Sequence, residues 1–487
     1  MVNFFEHIVS TIVTRIYLGL LLLLCAESNV WAQTENSEYT PTGTLPVIYI
    51  TTDSMKPIES KTEYLPATYY IDNMGHSELP SLGSSEEPLP LEIRGRGNST
   101  WTKPKKPYKL KLGKKTDLFG NGKNKHYVLL AGYEGRGFLK DATCFEVARR
   151  IGFDFVPRST PVEVVLNDDY IGLYLLCEQV RVDNNRVNIT EQEDGDTIPE
   201  NITGGWLIEI DRNPDDNQFE ITQANGEKMK FVVHSPDSLS PQQWDYITNY
   251  VQKTDSAVFS HNPYSVKWQE FIDFNSLVRF YVMNEVVGNI EAFSGSCYMH
   301  KERGDSTKFI FGPVWDFGSS FGNSSTWHFI YEPPYFYAQN KWIKQLARFA
   351  SFQQRVRALW HRIYPKLFLD MPDWITAYTR KIRAAAIQDS NRWPESPSEG
   401  QNLRHQSDLM KSILATKTAW LDEQWQTYNL PGDVNADESV NVSDVTALVN
   451  MILGVVEKNE IAADLNGDGK VNVSDVTMLI NIILGIS

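Results

Sequence analysis

Apolar residues recur at two different spacings along the chain, in separate stretches. Val47-Ile-Tyr-Ile50 and Ala67-Thr-Tyr-Tyr-Ile71 have the strand-like alternation, with turn residues between them. A period of two predicts strands. Leu91-Glu-Ile-Arg94 and Lys109-Leu-Lys-Leu112 read the same way, and Pro161–Leu166 and Tyr170–Val180 are apolar runs joined by the turn Asn167-Asp-Asp169, a hairpin. From Gly137 to Gly152 the spacing turns helical, with Phe138, Leu139, Ala142, Phe145, Ala148 and Ile151 on one face. Phe271 to Glu285 predicts a second helix and Lys308–Phe311 another strand. Near the end two short helical stripes recur, Val445, Leu448, Val449, Ile452, Leu453 and Val476, Leu479, Ile480, Ile483, Leu484. The fold class expected is α+β for the body, followed by a small all-α module.

One apolar run is continuous. Ile16 to Ala26 follows Arg15 and is too short to span a bilayer, which takes about 20 residues. Val30-Trp31-Ala32 supplies a small-residue cleavage site. The pattern predicts a secretory signal peptide over residues 1–32, cleaved before Gln33. A lipidated Cys25 is the alternative, disfavoured by Leu24 before it. No other stretch has 18 apolar residues in a row, so no transmembrane segment is expected.

Charge changes the picture twice. The whole chain of 487 residues carries −15, which excludes a general nucleic-acid coat. Leu91 to Lys140 holds 13 Lys+Arg against 3 Asp+Glu, a local +10; Pro431 to Ser487 holds 2 against 9, a local −7. One region wants anions and the other cations. Past the leader only Cys144, Cys177 and Cys297 remain, each in an apolar context. They are expected to be buried free thiols.

The acidic region is a duplication. Asp433-Val-Asn435-Ala-Asp437-Glu-Ser439-Val-Asn441-Val-Ser-Asp444 returns 31 residues later as Asp464-Leu-Asn466-Gly-Asp468-Gly-Lys470-Val-Asn472-Val-Ser-Asp475. Oxygen side chains fall at loop positions 1, 3, 5, 9 and 12, and position 7 (Ser439, Lys470) can offer its backbone carbonyl. That spacing wraps oxygens around one Ca²⁺, so two calcium sites are expected. Two short helices bury little surface, so metal should supply folding energy.

The basic region opens on Leu91-Glu-Ile-Arg-Gly95-Arg-Gly97-Asn98-Ser99-Thr-Trp101, a strand entering a turn with two glycines. Glycines let backbone N–H groups approach an anion. Lys105-Lys-Pro-Tyr-Lys109-Leu-Lys111-Leu112 reads as the return strand, with Lys109 and Lys111 on one face. A Gly-rich hairpin followed by a strand lysine is how phosphate-transfer enzymes hold nucleotide phosphates. Glu146, on the following helix, is a candidate partner for such a lysine. Farther along, Gly312-Pro-Val-Trp315-Asp316-Phe317-Gly318 sets an acid just after an apolar strand. The polar loop Gly288-Asn289-Ile-Glu291 through Ser296 lies upstream. Together these suit a metal-phosphate site.

Two resemblances follow from these motifs. The tail over residues 431–487 resembles a type I dockerin, with paired EF-hand-like loop–helix units and Asp at position 12. That implies a calcium-dependent cohesin-type partner and the usual company of carbohydrate-active, polysaccharide-degrading assemblies. Arg94-Gly-Arg-Gly-Asn-Ser-Thr-Trp101, Lys105 to Leu112, Asn167 through Glu178-Gln-Val180, and Gly312-Pro-Val-Trp-Asp-Phe317 resemble the CotH kinase family, secreted and spore-coat atypical kinases. The resemblance implies a two-lobed protein-kinase-like body that uses ATP with Mg²⁺ or Mn²⁺. Gly95, Gly97, Asn98 and Ser99 would cover the phosphates, and Lys111, or Lys109 in its place, would contact them. Glu178 to Val180 would form the hinge by the adenine, Asp316 would bind the metal, and Glu291 would stand at the catalytic aspartate. Family members often read Asn-x-Asp and Trp-Asp-Phe-Asp where this chain has Asn289-Ile-Glu291 and Trp315-Asp-Phe-Gly318, and Ser296 stands where a kinase has a metal-binding Asn.

The units expected are the leader, a β-rich part over 33–90, a kinase-like core over 91–323, a helical part over 324–428 and the dockerin. The function expected is phosphate transfer to a secreted protein; a pseudokinase scaffold and a component of a carbohydrate-active assembly are the alternatives.

Overall fold

The computed structural model describes residues 39–486 apart from 134, 136, 214, 261–264, 266, 323–335, 339–340, 398–399, 426–431, 436–438, 456–459 and 467–469. The predicted leader, Asp437 and Asp468 lie outside the described residues.

Seven strands close into a barrel: β1 (Val47–Thr52), β2 (Leu65–Asp72), β3 (Leu89–Gly95), β4 (Tyr108–Thr116), β5 (Asn124–Leu130), β6 (Ser159–Leu166) and β7 (Asp169–Glu178). Their order is β1-β2-β3-β4-β5-β7-β6, and β1 meets β6 in parallel to close the ring, with Ile48 opposite Val164. The alternation read from the sequence is the barrel's inside and outside. Ile48, Ile50, Leu91, Ile93, Leu110, Leu112 and Leu176 fill the interior. Glu92, Arg94, Lys109 and Lys111 therefore face outward. The hairpin between β6 and β7 turns through Asn167 and Asp168, both with positive φ, as a tight two-residue loop requires. Strands β1 and β2, inside the predicted 33–90 unit, belong to the same barrel as the strands after residue 91.

A second sheet has the order β12-β11-β8-β10-β9, built from β8 (Trp206–Ile210), β9 (Gln218–Thr222), β10 (Lys228–Ser235), β11 (Cys297–Lys301) and β12 (Ile310–Phe311). Helices α1 (Gly137–Ile151), α2 (Pro241–Val258), α3 (Phe274–Val287), α4 (Lys341–Leu346), α5 (Ala350–Ile363), α6 (Met371–Arg392) and α7 (Leu403–Trp425) share one core with it. Helix α1 buries Phe138, Leu139, Ala142, Phe145, Ala148 and Ile151, the face its periodicity predicts. Helix α3 begins at Asp273, whose carboxylate accepts from Ser276 N at 2.8 Å, and ends at left-handed Gly288. The three cysteines are buried and free.

Buried ion pairs tie the helical part to the rest. Lys105 Nζ, between β3 and β4, donates to Asp389 Oδ1 of α6 and to Leu173 O of β7. Leu173 N donates back to Asp389 at 2.8 Å, so the carboxylate is held from two sides. Glu285 of α3 meets Lys417 of α7 at 3.1 Å and accepts from Tyr337 N and Ala338 N. Removing one partner of such a pair strands a buried charge, a loss of about 3–5 kcal/mol.

At the end of the chain α8 (Val442–Ile452), α9 (Glu460–Ala463) and α10 (Val473–Leu484) form a separate small core of Val434, Leu448, Met451, Ala463 and Leu479. The mixed composition agrees with the α+β expectation. The closed barrel was not foreseen. Among the described residues no helix is long and apolar enough to cross a membrane.

Candidate functional site

The outer face of the barrel carries the basic half of the candidate site. Antiparallel register sets Glu92 opposite Lys111 and Arg94 opposite Lys109. The first pairing is of opposite charges, and Lys111 Nζ sits 2.7 Å from Glu92 with both side chains partly exposed. The second is of like charges, which is unfavourable in a bare sheet. Burial and the neighbouring Arg94, Arg96 and Arg181 push the Lys109 ammonium down to about 8. Arg94 Nε is buried with no hydrogen-bond partner, while its guanidinium lies 4.9 Å from the Tyr64 ring centre. A cationic group with an orphaned donor fits a tetrahedral oxyanion.

The opposite half is acidic. Asp316 follows β12 in a left-handed conformation, φ 56°, a region that aspartate enters more readily than most non-glycine residues. Helix α1 holds this turn: Lys140 Nζ donates to Gly318 O at 2.8 Å, and the Phe145 ring packs on Trp315 and Phe317. Asp141, one residue on, accepts from Phe317 N and is pushed up to about 6 by burial and by Asp316. Asp316 is exposed to water, with protein crowded around it. Burial raises its pKa, with Glu291 and Asp211 adding to the rise and Arg96 opposing it. Arg96, its guanidinium 5.5 Å from the Trp315 ring centre, is shared by both halves.

Of the sequence-predicted residues, Asp316 and Glu291 are electrostatic neighbours, and Lys109 shares the neighbour Arg96 with Asp316. Glu291 is partly exposed, and Arg212 holds its carboxylate at 2.6 Å. Lys111 is turned toward Glu92 instead. Gly95 N and Arg96 N already donate to Ser60 O and Pro107 O, and Gly97 O accepts from Lys61 Nζ. Gly95 lies under the Trp101 ring, where a Cβ would clash, and Gly97 has φ 82°. Asn98 and Ser99 lead into a short 3₁₀ turn. Glu178 is buried and spent on Asn121 Nδ2 and Arg158 N, both at 2.9 Å, with Val180 buried beyond it. Glu146 pairs with Arg149 and Arg150 of its own helix, not with a strand lysine.

Sequence reasoning missed Asp141, Arg181 and Arg212. Asp141 left one trace, a carboxylate between Leu139 and Ala142 on the predicted buried face. Arg181 and Arg212 left none.

Asp316, with Glu291 and Asp211 near it, offers hard carboxylate oxygens, the donor kind that a divalent ion of the Mg²⁺ class takes. Among the described residues no group of three or more His, Cys, Asp or Glu is assembled to hold a metal. An ion here would depend on phosphate oxygens and water for the rest of its shell, as Mg²⁺ commonly does.

The acidic tail has a repeated geometry. Asp444 is buried, and its carboxylate accepts from Asn441 N at 2.8 Å and Asn435 N at 3.2 Å. Asp475 does the same with Asn472 N, Leu465 N and Asn466 N. In each loop the Asn at position 9 caps the helix that follows, and position 12 completes the capping box. Asp433 is buried, and Asp464, Asn466, Ser439 and Lys470 lie along the two loops. The described oxygens of the two loops are a donor set of the hard kind that calcium takes.

Residues 93–421 match the family described as CotH kinase protein, and residues 431–484 match the dockerin type I domain. No curated protein matches the chain. Type I dockerin domains bind calcium, imply a cohesin partner and typically belong to extracellular or cell-surface assemblies. Since the first match covers more than half of the sequence, the chain belongs to the CotH kinase protein family, and it ends in a type I dockerin domain.

Proposed function

We propose that this chain is an exported phosphotransferase that moves phosphate from ATP to a hydroxyl of an extracellular protein, and that its dockerin fastens it to a cohesin-bearing assembly. The observation that carries the reading is the register that sets Lys109 against Arg94, with Arg96 and Arg181 beside them and Arg96 in turn beside Asp316. An unliganded sheet gains nothing from that arrangement; ATP brings about four negative charges that would offset it.

In this reading Lys109, not Lys111, contacts the phosphates, with Arg94 and Arg96 on either side. Asp316 would hold Mg²⁺ or Mn²⁺, which supplies charge neutralisation between phosphate oxygens. Asp141 and Lys140 keep the Asp316 turn in place through Phe317 N and Gly318 O. Glu291 takes the proton of the acceptor hydroxyl, which requires it to part from Arg212. An exposed ion pair is worth about 0.2–1 kcal/mol, so that exchange is inexpensive. The barrel and the helix-backed sheet act as the two lobes. Residues 1–32 direct export.

A second reading is favoured by one observation. Glu291 is longer than the family's aspartate and already paired, so the cleft could hold nucleotide without transferring phosphate.

Purified full-length protein given labelled ATP, Mg²⁺ or Mn²⁺ and an acceptor should label the acceptor or itself. Glu291→Gln should keep nucleotide binding and abolish transfer. Nucleotide binding without transfer in the wild type selects the scaffold reading, and no nucleotide binding with either ion rejects both.

A further inference from the structure

A buried chain of amides leads to the turn that carries Glu291. Asn284, on the last turn of α3, and Asn289, just past its end, are 2% and 5% exposed. Their hydrogen bonds run in one direction. Asn284 Nδ2 donates to Phe280 O at 2.8 Å, Asn289 Nδ2 donates to Asn284 Oδ1 at 2.9 Å, and Glu291 N donates to Asn289 Oδ1 at 3.2 Å. The two ends set that order. A carbonyl only accepts and a backbone N–H only donates, so turning either carboxamide over would bring donor against donor or acceptor against acceptor.

The far side of the turn is held as well. Glu291 O accepts from Ser294 N at 3.0 Å, from Ser294 Oγ at 2.9 Å and from Gly295 N at 3.1 Å. The Phe293 ring is buried against Phe280 and Phe311, with ring centres 5.1 and 5.7 Å away. Phe311 ends β12, the strand that leads to Asp316. The main chain of Glu291 is therefore tied to α3 through the amides, and through Phe293 to the strand before its electrostatic neighbour Asp316. Its carboxylate is held separately, by Arg212.

We propose that Asn284 and Asn289 are positioning residues for Glu291: their amide chain fixes the main chain from which the glutamate reaches the acceptor hydroxyl. The proposal rests on the phosphotransfer reading above. A glutamate has one more rotatable bond than an aspartate, so placing its carboxylate within about 3 Å of a hydroxyl depends all the more on a fixed backbone.

Two readouts on the full-length protein test this. The first is backbone hydrogen exchange over residues 289–295, read by mass spectrometry. Asn289→Leu and Asn284→Leu keep the branched shape and lose the polar atoms, and each should make the Glu291 amide exchange roughly tenfold faster than in the wild type. The second is phosphate transfer. In both variants kcat should fall about 100-fold, the effect of a misplacement of about 1 Å. KM for ATP and the Mg·ATP shift in melting temperature should stay as in the wild type, which also reports that the body is folded. The double variant should be no slower than Asn289→Leu alone, because both changes cut one chain. Asn289→Ser keeps an oxygen that can accept from the N–H two residues on, and should recover part of the loss. Unchanged exchange in both leucine variants overturns the chain, whatever the activity. Faster exchange with unchanged kcat overturns its positioning role. A wild type that binds Mg·ATP and transfers nothing rejects the phosphotransfer reading and the role given to Glu291, while exchange still decides whether the chain holds the turn.

Discussion

The cleft and the calcium loops both gather like charges, and they support that cost differently. Each loop lies within the span from Asp433 to Asp444 or from Asp464 to Asp475, and rests on a small core whose buried members among the described residues are Val434, Leu448, Met451, Ala463 and Leu479. The cleft takes Arg94 and Lys109 from adjacent strands, Asp141 from α1, Glu291 from the turn after α3 and Asp316 from the turn after β12. It rests on the two large cores of the body. A small core gives repelling carboxylates little support, so the dockerin is expected to need its metal to fold. A large core can, so the cleft is formed before any ligand arrives, and its strain is available for binding.

Calcium removal tests that difference most severely. Chelation should erase the dockerin's unfolding transition and its helical signal while the body melts as before. Asp433→Ala with Asp464→Ala should do the same in the presence of calcium, read by calorimetry. A dockerin that stays folded in chelator would show that its small core suffices.

The body has an equivalent weak point, and it is a side-chain pair. Lys105→Ala or Asp389→Ala leaves a buried charge alone and should cost about 3–5 kcal/mol in denaturant unfolding of the body, with the dockerin unaffected. A loss under 1 kcal/mol would mean that water reaches the pair.

These two regions were unequally legible in the sequence. In the dockerin, ligand spacing, duplication and helix stripes are all local, so Asp433 to Asp475 could be read residue by residue. In the body, motif order gave the family and singled out Asp316 and Glu291, but not which strand lysine sits beside an arginine and which beside an acid. Lys109 and Lys111 are indistinguishable by periodicity, since both face out of the barrel. What separates them is the neighbouring strand, Arg94 beside one and Glu92 beside the other, and pairing register is non-local information. Glu178 shows the converse. It stood in a recognisable motif, yet its carboxylate is committed to Asn121 and Arg158 N.

Nucleotide binding separates the two lysines. Mg·ATP at a hundredfold its dissociation constant should stabilise the body by about 2.7 kcal/mol, seen as a raised melting temperature. Asp316→Ala and Lys109→Ala should each remove the shift, and Lys111→Ala should leave it. The reverse result for the two lysines would return the phosphate contact to Lys111.

The smallest effect expected is a pH dependence, and its sign is specific to Lys109. In the free protein burial and three nearby arginines bring its ammonium from 10.5 to about 8. Between those values the unfolded chain binds more protons than the folded one, so this group makes the fold more stable as pH rises from 8 toward 10.5. Below 8 the cost of the charged lysine is fully present. Bound phosphate acts in the opposite direction, because an anion beside the ammonium favours its charged form. Above pH 8 nucleotide binding must therefore take up a proton, and affinity should fall with rising pH, by at most about tenfold per unit. Lys109→Arg stays charged throughout and should flatten that profile while still binding nucleotide. Calorimetry in two buffers of different ionisation enthalpy counts the proton directly. An uptake close to one proton near pH 9 in the wild type, absent from Lys109→Arg, puts this lysine on the phosphates; equal and negligible uptake in both puts it elsewhere.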